Sequence, residues 1–377
     1  MNAVGIIFSN LHDRHVPELT RLRTMASVPF ACRYRLIDFA LSNMVNSGIH
    51  TISVITHNNY RSLMDHIGSG KDWDLARRSG GVKLLPPFIT AHANLNNELY
   101  ASRLDALKSI VYSLNEMRED YIVLSDCDVI CNIDLTDVIH DHIEHGADIT
   151  MVVKRLPVIT ADERSRVIFE SDADGRIVDC LAQPEAGLRD KDVSLNIWVA
   201  SRTYLLSAVH DAIAHGYKSF TYDIIGKNAS RRNFRIYRYA GTYADIYSLQ
   251  GYFKESMALL ADHERWDSLF NVESRPILTK VRNSPPTKYF KGAQVFNSML
   301  ADGCRIEGRV ENSIIFRGVR VGPHAVVKNS ILFQDAYIGE DADLNCVIAD
   351  KSVVIRDRVR LSGHPELPFY IEKKTML

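Results

Sequence analysis

Four short stretches decide the fold of the last quarter of the chain: NSML at 297–300, NSII at 312–315, NSIL at 329–332 and NCVI at 345–348. They recur 15, 17 and 16 residues apart. Within these intervals an apolar residue also returns every six positions, as in Ile315, Val321 and Val327 and again in Leu332, Ile338 and Leu344. A six-residue period nested in a coil of that length is the pattern of a solenoid of short parallel strands, in which each coil turns one apolar residue per face inward. A β-sandwich would need hairpin signals, and Asp302-Gly303 is the exception in a region otherwise poor in them. The coils are few, so the solenoid is expected to dock on the rest of the chain or on another subunit.

Immediately upstream, SRPILTKVRNSPPTKYF (274–290) carries three prolines and little periodicity, and reads as a linker. Before it the rhythm changes again. Ala3 to Phe8 is an apolar strand, followed by a polar loop to about Leu22; Leu36 to Ser47 has apolar residues at helical spacing and ends at Gly48; HTISVIT (50–56) is a buried strand. The sequence repeats the pattern with a helix over 104–117, a strand over 121–125 and a helix over 136–145. Strand and helix alternating with short connections predict an α/β domain with a mostly parallel sheet, whose ligands sit beyond the carboxyl ends of the strands. The loops after Phe8, Thr56 and Ser125 are therefore where chemistry belongs.

Composition narrows the partners. Lys and Arg number 45 against 46 Asp and Glu, so no global field favours nucleic acid or an anionic membrane. No apolar run reaches the ~18 residues a membrane helix needs, and MNAVGIIFSN lacks a basic leader. Six scattered cysteines predict reduced, mostly buried thiols in a cytoplasmic protein.

VPFACRYRLIDFALSNMVNSGI (28–49), DHIGSGKDWDLARRSGGVKLLPPF (65–88) and ESMALL (255–260) resemble bacterial ADP-glucose pyrophosphorylase, the glucose-1-phosphate adenylyltransferase of glycogen synthesis. The resemblance runs over nearly the whole chain. It implies a Rossmann-like nucleotidyltransferase domain over 1–273, a linker over 274–290 and a C-terminal left-handed parallel β-helix over 291–377.

Against that family the departures stand out. An active member carries a loop similar to GGGxGxRLxxLT, whose glycines let backbone N–H groups approach a triphosphate while Arg and Lys neutralise charge. Here the glycine positions hold Asn10, Leu11 and Asp13, the arginine position His15 beside Arg14, and the lysine position Met25. The paired glycines that follow are Ala31-Cys32. The adenine-contacting GTAxA segment is matched by Ser102-Arg103-Leu104-Asp105-Ala106, and the sugar-phosphate FxEKP by a segment ending Gln183-Pro184. The SMGIY segment reads with Asn196 in place of its glycine. Arg33, Arg35 and His57 are further candidates for the vestigial nucleotide or sugar-phosphate pocket, Arg33 and Arg35 also for a regulatory anion; surface charges supporting a helix start and a polar loop residue without a ligand are the alternative readings. Asp128 and Asp245 fall on the family's metal-binding aspartates and are the candidate Mg2+ ligands; a turn residue and a helix cap are the alternative readings. His12 and His15 lack a third ligand at metal spacing, and DRHVPELTRLR reads as a solvated loop.

A preserved frame with a degraded loop resembles the second, GlgD-type subunit found beside the catalytic pyrophosphorylase. That implies a regulatory, catalytically impaired chain in a hetero-oligomer, a heterotetramer, with a sugar phosphate or nucleotide as effector. An active adenylyltransferase with a divergent loop, or a ligand-sensing module, are the competing expectations.

Overall fold

The computed structural model describes residues 2–86, 100–160 and 166–377. Phe88, which closes one of the family-like stretches, lies outside them. The centre of the first domain is a parallel set in which Ala3–Phe8 lies between Thr51–Ile55 and Tyr121–Asp126, with Gly81–Leu85 beside Thr51–Ile55. All six residues of Ala3–Phe8 are buried, as a strand covered on both faces requires. The 13-residue strand Arg189–Ser201 then runs antiparallel to Tyr121–Asp126, pairs Ile149–Val158 along its other edge, and pairs Ile168–Ser171 near its start on the edge opposite Ile149–Val158. The parallel core thus gains an antiparallel wing.

The helix Leu36–Asn46 buries nine of its eleven residues, and its first turn is closed by Asp38, which accepts the Arg35 backbone N–H at 3.0 Å. It ends at Gly48, whose φ of 76° lets the chain reverse into the next strand. The expected helix over 104–117 is two shorter ones, Arg103–Ser109 and Val111–Glu116, broken at Ile110.

The last quarter is three five-stranded parallel sheets wound as one coil, the left-handed parallel β-helix anticipated from the repeats. Ile306, Val321, Ile338 and Ile355 stack at the same register position, in a core with Val310, Val327 and Leu344. The repeated Asn-Ser has a physical explanation. Asn297, Asn312 and Asn329 sit at φ of 38°, 43° and 45°, a region Asn enters more readily than most residues. Their amides hydrogen-bond coil to coil, Asn297 to Asn312 at 2.8 Å and Asn329 to Asn345 at 2.9 Å. The hydroxyls of Ser298, Ser313 and Ser330 each accept the N–H of the residue one coil later, at 3.1 Å in every case.

The β-helix docks on the first domain. Ile314, Phe316, Ile331 and Phe333 belong to the same core as Phe39 and Tyr252. Tyr252 meets Phe333 edge-on at 6.2 Å. Beneath them Arg23 Nη2 donates to both oxygens of Asp350 at 2.7 Å, and the Tyr370 hydroxyl donates to the same carboxylate at 2.9 Å. Between Phe270 and Lys288 the chain has no helix or strand. Among the described residues no helix is long and apolar enough to cross a membrane, and all six cysteines are unpaired and buried.

Candidate functional site

The loop after the first strand is tied shut by its own side chains. The Oδ1 atom of Asn10 accepts from the hydroxyl of Ser9 at 2.8 Å, the hydroxyl of Thr56 at 2.9 Å and the backbone N–H of His57 at 3.1 Å. Its amide donates to Asp13 at 2.6 Å. The other oxygen of Asp13 accepts the Met25 N–H at 2.7 Å. The Met25 N–H, at the position where the family carries its lysine, is therefore satisfied by the loop itself. Met25 itself is buried in the main core, so the position carries no cation. Burial pushes the Asp13 carboxyl up to about 7, although the bonds from Asn10 and Met25 favour its charged form. The DRHVPELTRLR stretch differs from expectation here. Val16, Leu19, Thr20 and Arg23 are buried, because the short helix Pro17–Thr20 packs into the core instead of projecting into solvent.

Deeper in, at the ends of the Tyr121–Asp126 and Tyr243–Asp245 strands, three carboxylates converge. Asp126 meets His12 at 2.7 Å and Arg103 at 2.6 Å on one oxygen. Asp128 accepts from the Asn196 amide at 3.0 Å and lies 3.5 Å from the Arg166 guanidinium. Arg166 also grips both oxygens of Asp245 and donates to the Ser194 carbonyl at 3.0 Å. Burial would lower the basicity of His12, but Asp128 and Asp126 outweigh it and hold the ring above its ordinary pKa. Burial would raise Asp128, yet His12 and Arg166 hold it below the usual carboxylate range. His15 is pushed down to about 4 by burial and by His12, and its Nε2 meets the Tyr247 hydroxyl at 3.1 Å.

His12, Asp126 and Asp128 bring ligand atoms within 4.8 Å of one another, a grouping able to hold a metal ion. The third ligand for His12 thus exists, contributed by a strand end more than a hundred residues along the chain. The donor set nevertheless does not fit Mg2+, which prefers an octahedron of oxygens. One donor is an imidazole nitrogen, and the two expected oxygen ligands, Asp128 and Asp245, already share a guanidinium.

Not every expected residue reaches this region. His57 does: with Asn10, Leu11, Asp13, Arg14, Arg21 and Tyr100 it lines a cleft of about 440 Å³. Asn196 does too, and its φ of 57° shows that it meets the backbone demand of the glycine it replaces. Ser102 does not. Its hydroxyl caps the helix Arg103–Ser109 through Asp105 N–H at 3.1 Å and donates to the Lys218 carbonyl. Gln183 is exposed on the turn after Ile177–Leu181. Arg33 and Arg35 lie in a different, small cleft shared with Arg282, Arg317 and Lys351, because the Pro29–Phe30 and Tyr34–Arg35 hairpin turns them toward the β-helix. There Arg35 donates to the Ser62 carbonyl at 2.6 Å, and burial pushes Lys351 down to about 6. Asp245 is not the cap of the helix that follows; Ser248 is.

Sequence reasoning missed Arg166 and Asp126, and named Arg103 only as part of the segment matching GTAxA. Arg103 is held over the Trp198 ring at 4.1 Å, aimed at Asp126. Asp126 lies two residues before Asp128 and was legible in principle. Arg166 carried no local signal.

Comparison with known proteins bears on both domains. Residues 14–233 match the nucleotidyl transferase family, and residues 285–367 match the GlmU-like C-terminal hexapeptide family. The chain is 34% identical to the glycogen biosynthesis protein GlgD of Bacillus subtilis, over 98% of this chain and 95% of the relative. It is 36% identical to GlgD of Geobacillus stearothermophilus, over 99% and 96%. Glucose-1-phosphate adenylyltransferase of Thermotoga maritima is 31% identical over 87% and 76%. With its β-helix and its α/β domain both matched, the chain belongs to the bacterial glucose-1-phosphate adenylyltransferase (ADP-glucose pyrophosphorylase) family, on the GlgD side of it.

Proposed function

We propose that this chain serves glycogen biosynthesis as a regulatory subunit of glucose-1-phosphate adenylyltransferase, with little or no turnover alone. The observation that carries this reading is the closed loop: Asn10 and Asp13 satisfy one another and the Met25 N–H, where a triphosphate would need free donors and a cation. The intact frame supports the rest. A subunit without chemistry can still raise a partner's activity by stabilising the partner's active conformation across an interface. The proposed partner is a catalytic ADP-glucose pyrophosphorylase chain, in a cytoplasmic heterotetramer.

A second reading rests on a separate observation. The cleft lined by Arg14, Arg21, His57 and Tyr100 is large enough for a small ligand. A chain that has lost turnover can still sense a nucleotide or sugar phosphate there, or an anion beside Arg33 and Arg35.

Co-purification with a catalytic chain, followed by pyrophosphate-release assays with and without this one, tests the proposal. A stable complex with a raised rate is expected. Turnover by the isolated chain at an ordinary pyrophosphorylase rate would remove it. Titration with ATP and glucose 1-phosphate, read by calorimetry, separates the sensing cleft from a silent one.

A further inference from the structure

We infer that Arg166 is the resident cation of the Asp128–Asp245 pair, standing where the family's fold would place a divalent metal, so that this chain binds no such ion there. The two carboxylates are fixed by backbone pairing before any ligand arrives. Tyr243–Asp245 runs antiparallel to Val129–Cys131 with Asp245 opposite Val129, and the Ile246 N–H donates to the Asp128 carbonyl at 2.9 Å. Arg166 fills the space between them. It is 2% exposed, touches both carboxylates, and is anchored on the Ser194 carbonyl. A planar guanidinium held on one carboxylate by two N–H groups and on a carbonyl by a third is a specific fit, unlike a passing surface pair.

Most of the carboxylate charge is already met without a metal. Three carboxylates, Asp126, Asp128 and Asp245, face two guanidiniums, Arg103 and Arg166, and the His12 imidazole. A divalent ion would add two positive charges to a group already supplied with two. Entering between Asp128 and Asp245, it would have to expel Arg166 from a buried position in which that charge has no other carboxylate. The feature most favourable to an ion is that Asp126 Oδ1 and Asp128 Oδ1 are buried without a hydrogen-bond partner. Each belongs to a carboxylate whose other oxygen already meets a cation. What remains is one carboxylate oxygen apiece, which a bridging water can serve.

The test is direct Mn2+ binding to the full chain, followed by the loss of the free-ion electron paramagnetic resonance signal. The wild-type chain is expected to leave the signal unchanged up to about 1 mM Mn2+. Arg166→Gln, which opens the space and leaves the carboxylates, is expected to gain one site at least about 30-fold tighter, and Arg166→Gln with Asp128→Asn to lose it again. One site in the wild type that Asp128→Asn abolishes would overturn the inference. So would an Arg166→Gln chain that folds and stays silent. If that variant does not fold, the wild-type titration decides together with the Arg166 Nε–H resonance, which should be protected from exchange and unmoved by Mg2+; its displacement by Mg2+ overturns the assignment. None of these readouts depends on a catalytic partner, so the result stands or falls separately from the regulatory role.

Discussion

The β-helix and the closed loop specify structure in opposite ways. In the β-helix one rule is written three times: an Asn that tolerates a left-handed corner, a Ser that accepts the next coil's N–H, and an apolar pair whose second residue turns into the coil while the first packs toward the other domain; the fourth copy departs from it, with Cys346 at the corner. Each coil repeats its neighbour's contacts, so stability is nearly a sum over like interfaces. In the loop nothing repeats. Asn10 joins the segments around 9, 13 and 57 through its side chain, and the Asp13 carboxyl reaches Met25. Periodic structure spreads its information along the chain, whereas the loop concentrates it in single side chains. One substitution should therefore be survivable in the first and decisive in the second.

The largest effect should come where the two regions meet. Arg23→Ala leaves Asp350 buried beside Tyr370 without its cation, and should lower stability by about 3–5 kcal/mol. Chemical denaturation checks it, and a loss near that of an exposed ion pair would mean that the docking does not depend on this contact.

Next comes the loop's pH dependence. The folded carboxyl of Asp13 titrates near 7, above its unfolded value, so its contribution is complete in acid and is lost as pH rises through about 7. His15, held down to about 4, acts oppositely, contributing above its ordinary value and losing that as pH falls toward 4. The difference between wild type and Asp13→Asn isolates the first. It should move in the variant's favour by on the order of 4 kcal/mol between pH 4 and pH 8. A difference that is flat with pH would show that the carboxylate is not buried in solution.

The repeat makes a comparative prediction. Ser313→Ala and Ser330→Ala each strand one buried N–H in the following coil and should each lose about 1–3 kcal/mol, by similar amounts. Unequal losses in thermal melts would mean that the coils are not equivalent. The smallest effect is a gain. Ala31 and Cys32 hold φ of 44° and 56°, where the family-like pattern has paired glycines. Ala31→Gly relieves one strained position and should raise stability by about 1 kcal/mol. A lower melting temperature for this variant would show that the lost methyl matters more than the backbone.

Much of the frame was legible beforehand. The Ala3–Phe8 strand, the Leu36 helix ending at Gly48 and the coil repeat depend on neighbours in sequence, which is what periodicity reports. The break at Ile110 was not visible, since it lies inside an unbroken apolar pattern. The site was legible only in part. The loss of glycines suggested general damage, but Asn196 and Ala31-Cys32 keep the glycine-like backbone, and the decisive change is the bonding of Asn10 and Asp13. The structure brings Asp128 and Asp245 together on Arg166, puts the Ser102 hydroxyl on a helix cap and Gln183 on an exposed turn, and turns Arg33 and Arg35 toward a different cleft.

By itself the sequence determined the two-domain layout, the repeat of the β-helix and the absence of an ordinary phosphate loop. These follow from local spacing and residue type. Only the tertiary structure decided what fills the pocket. Arg103, Asp126, Arg166 and Asp245 meet because strands distant in sequence converge at one end of the sheet. Whether a buried carboxylate faces a metal, a water or an arginine depends on which charge the fold brings within a few ångströms, and no linear pattern records that distance.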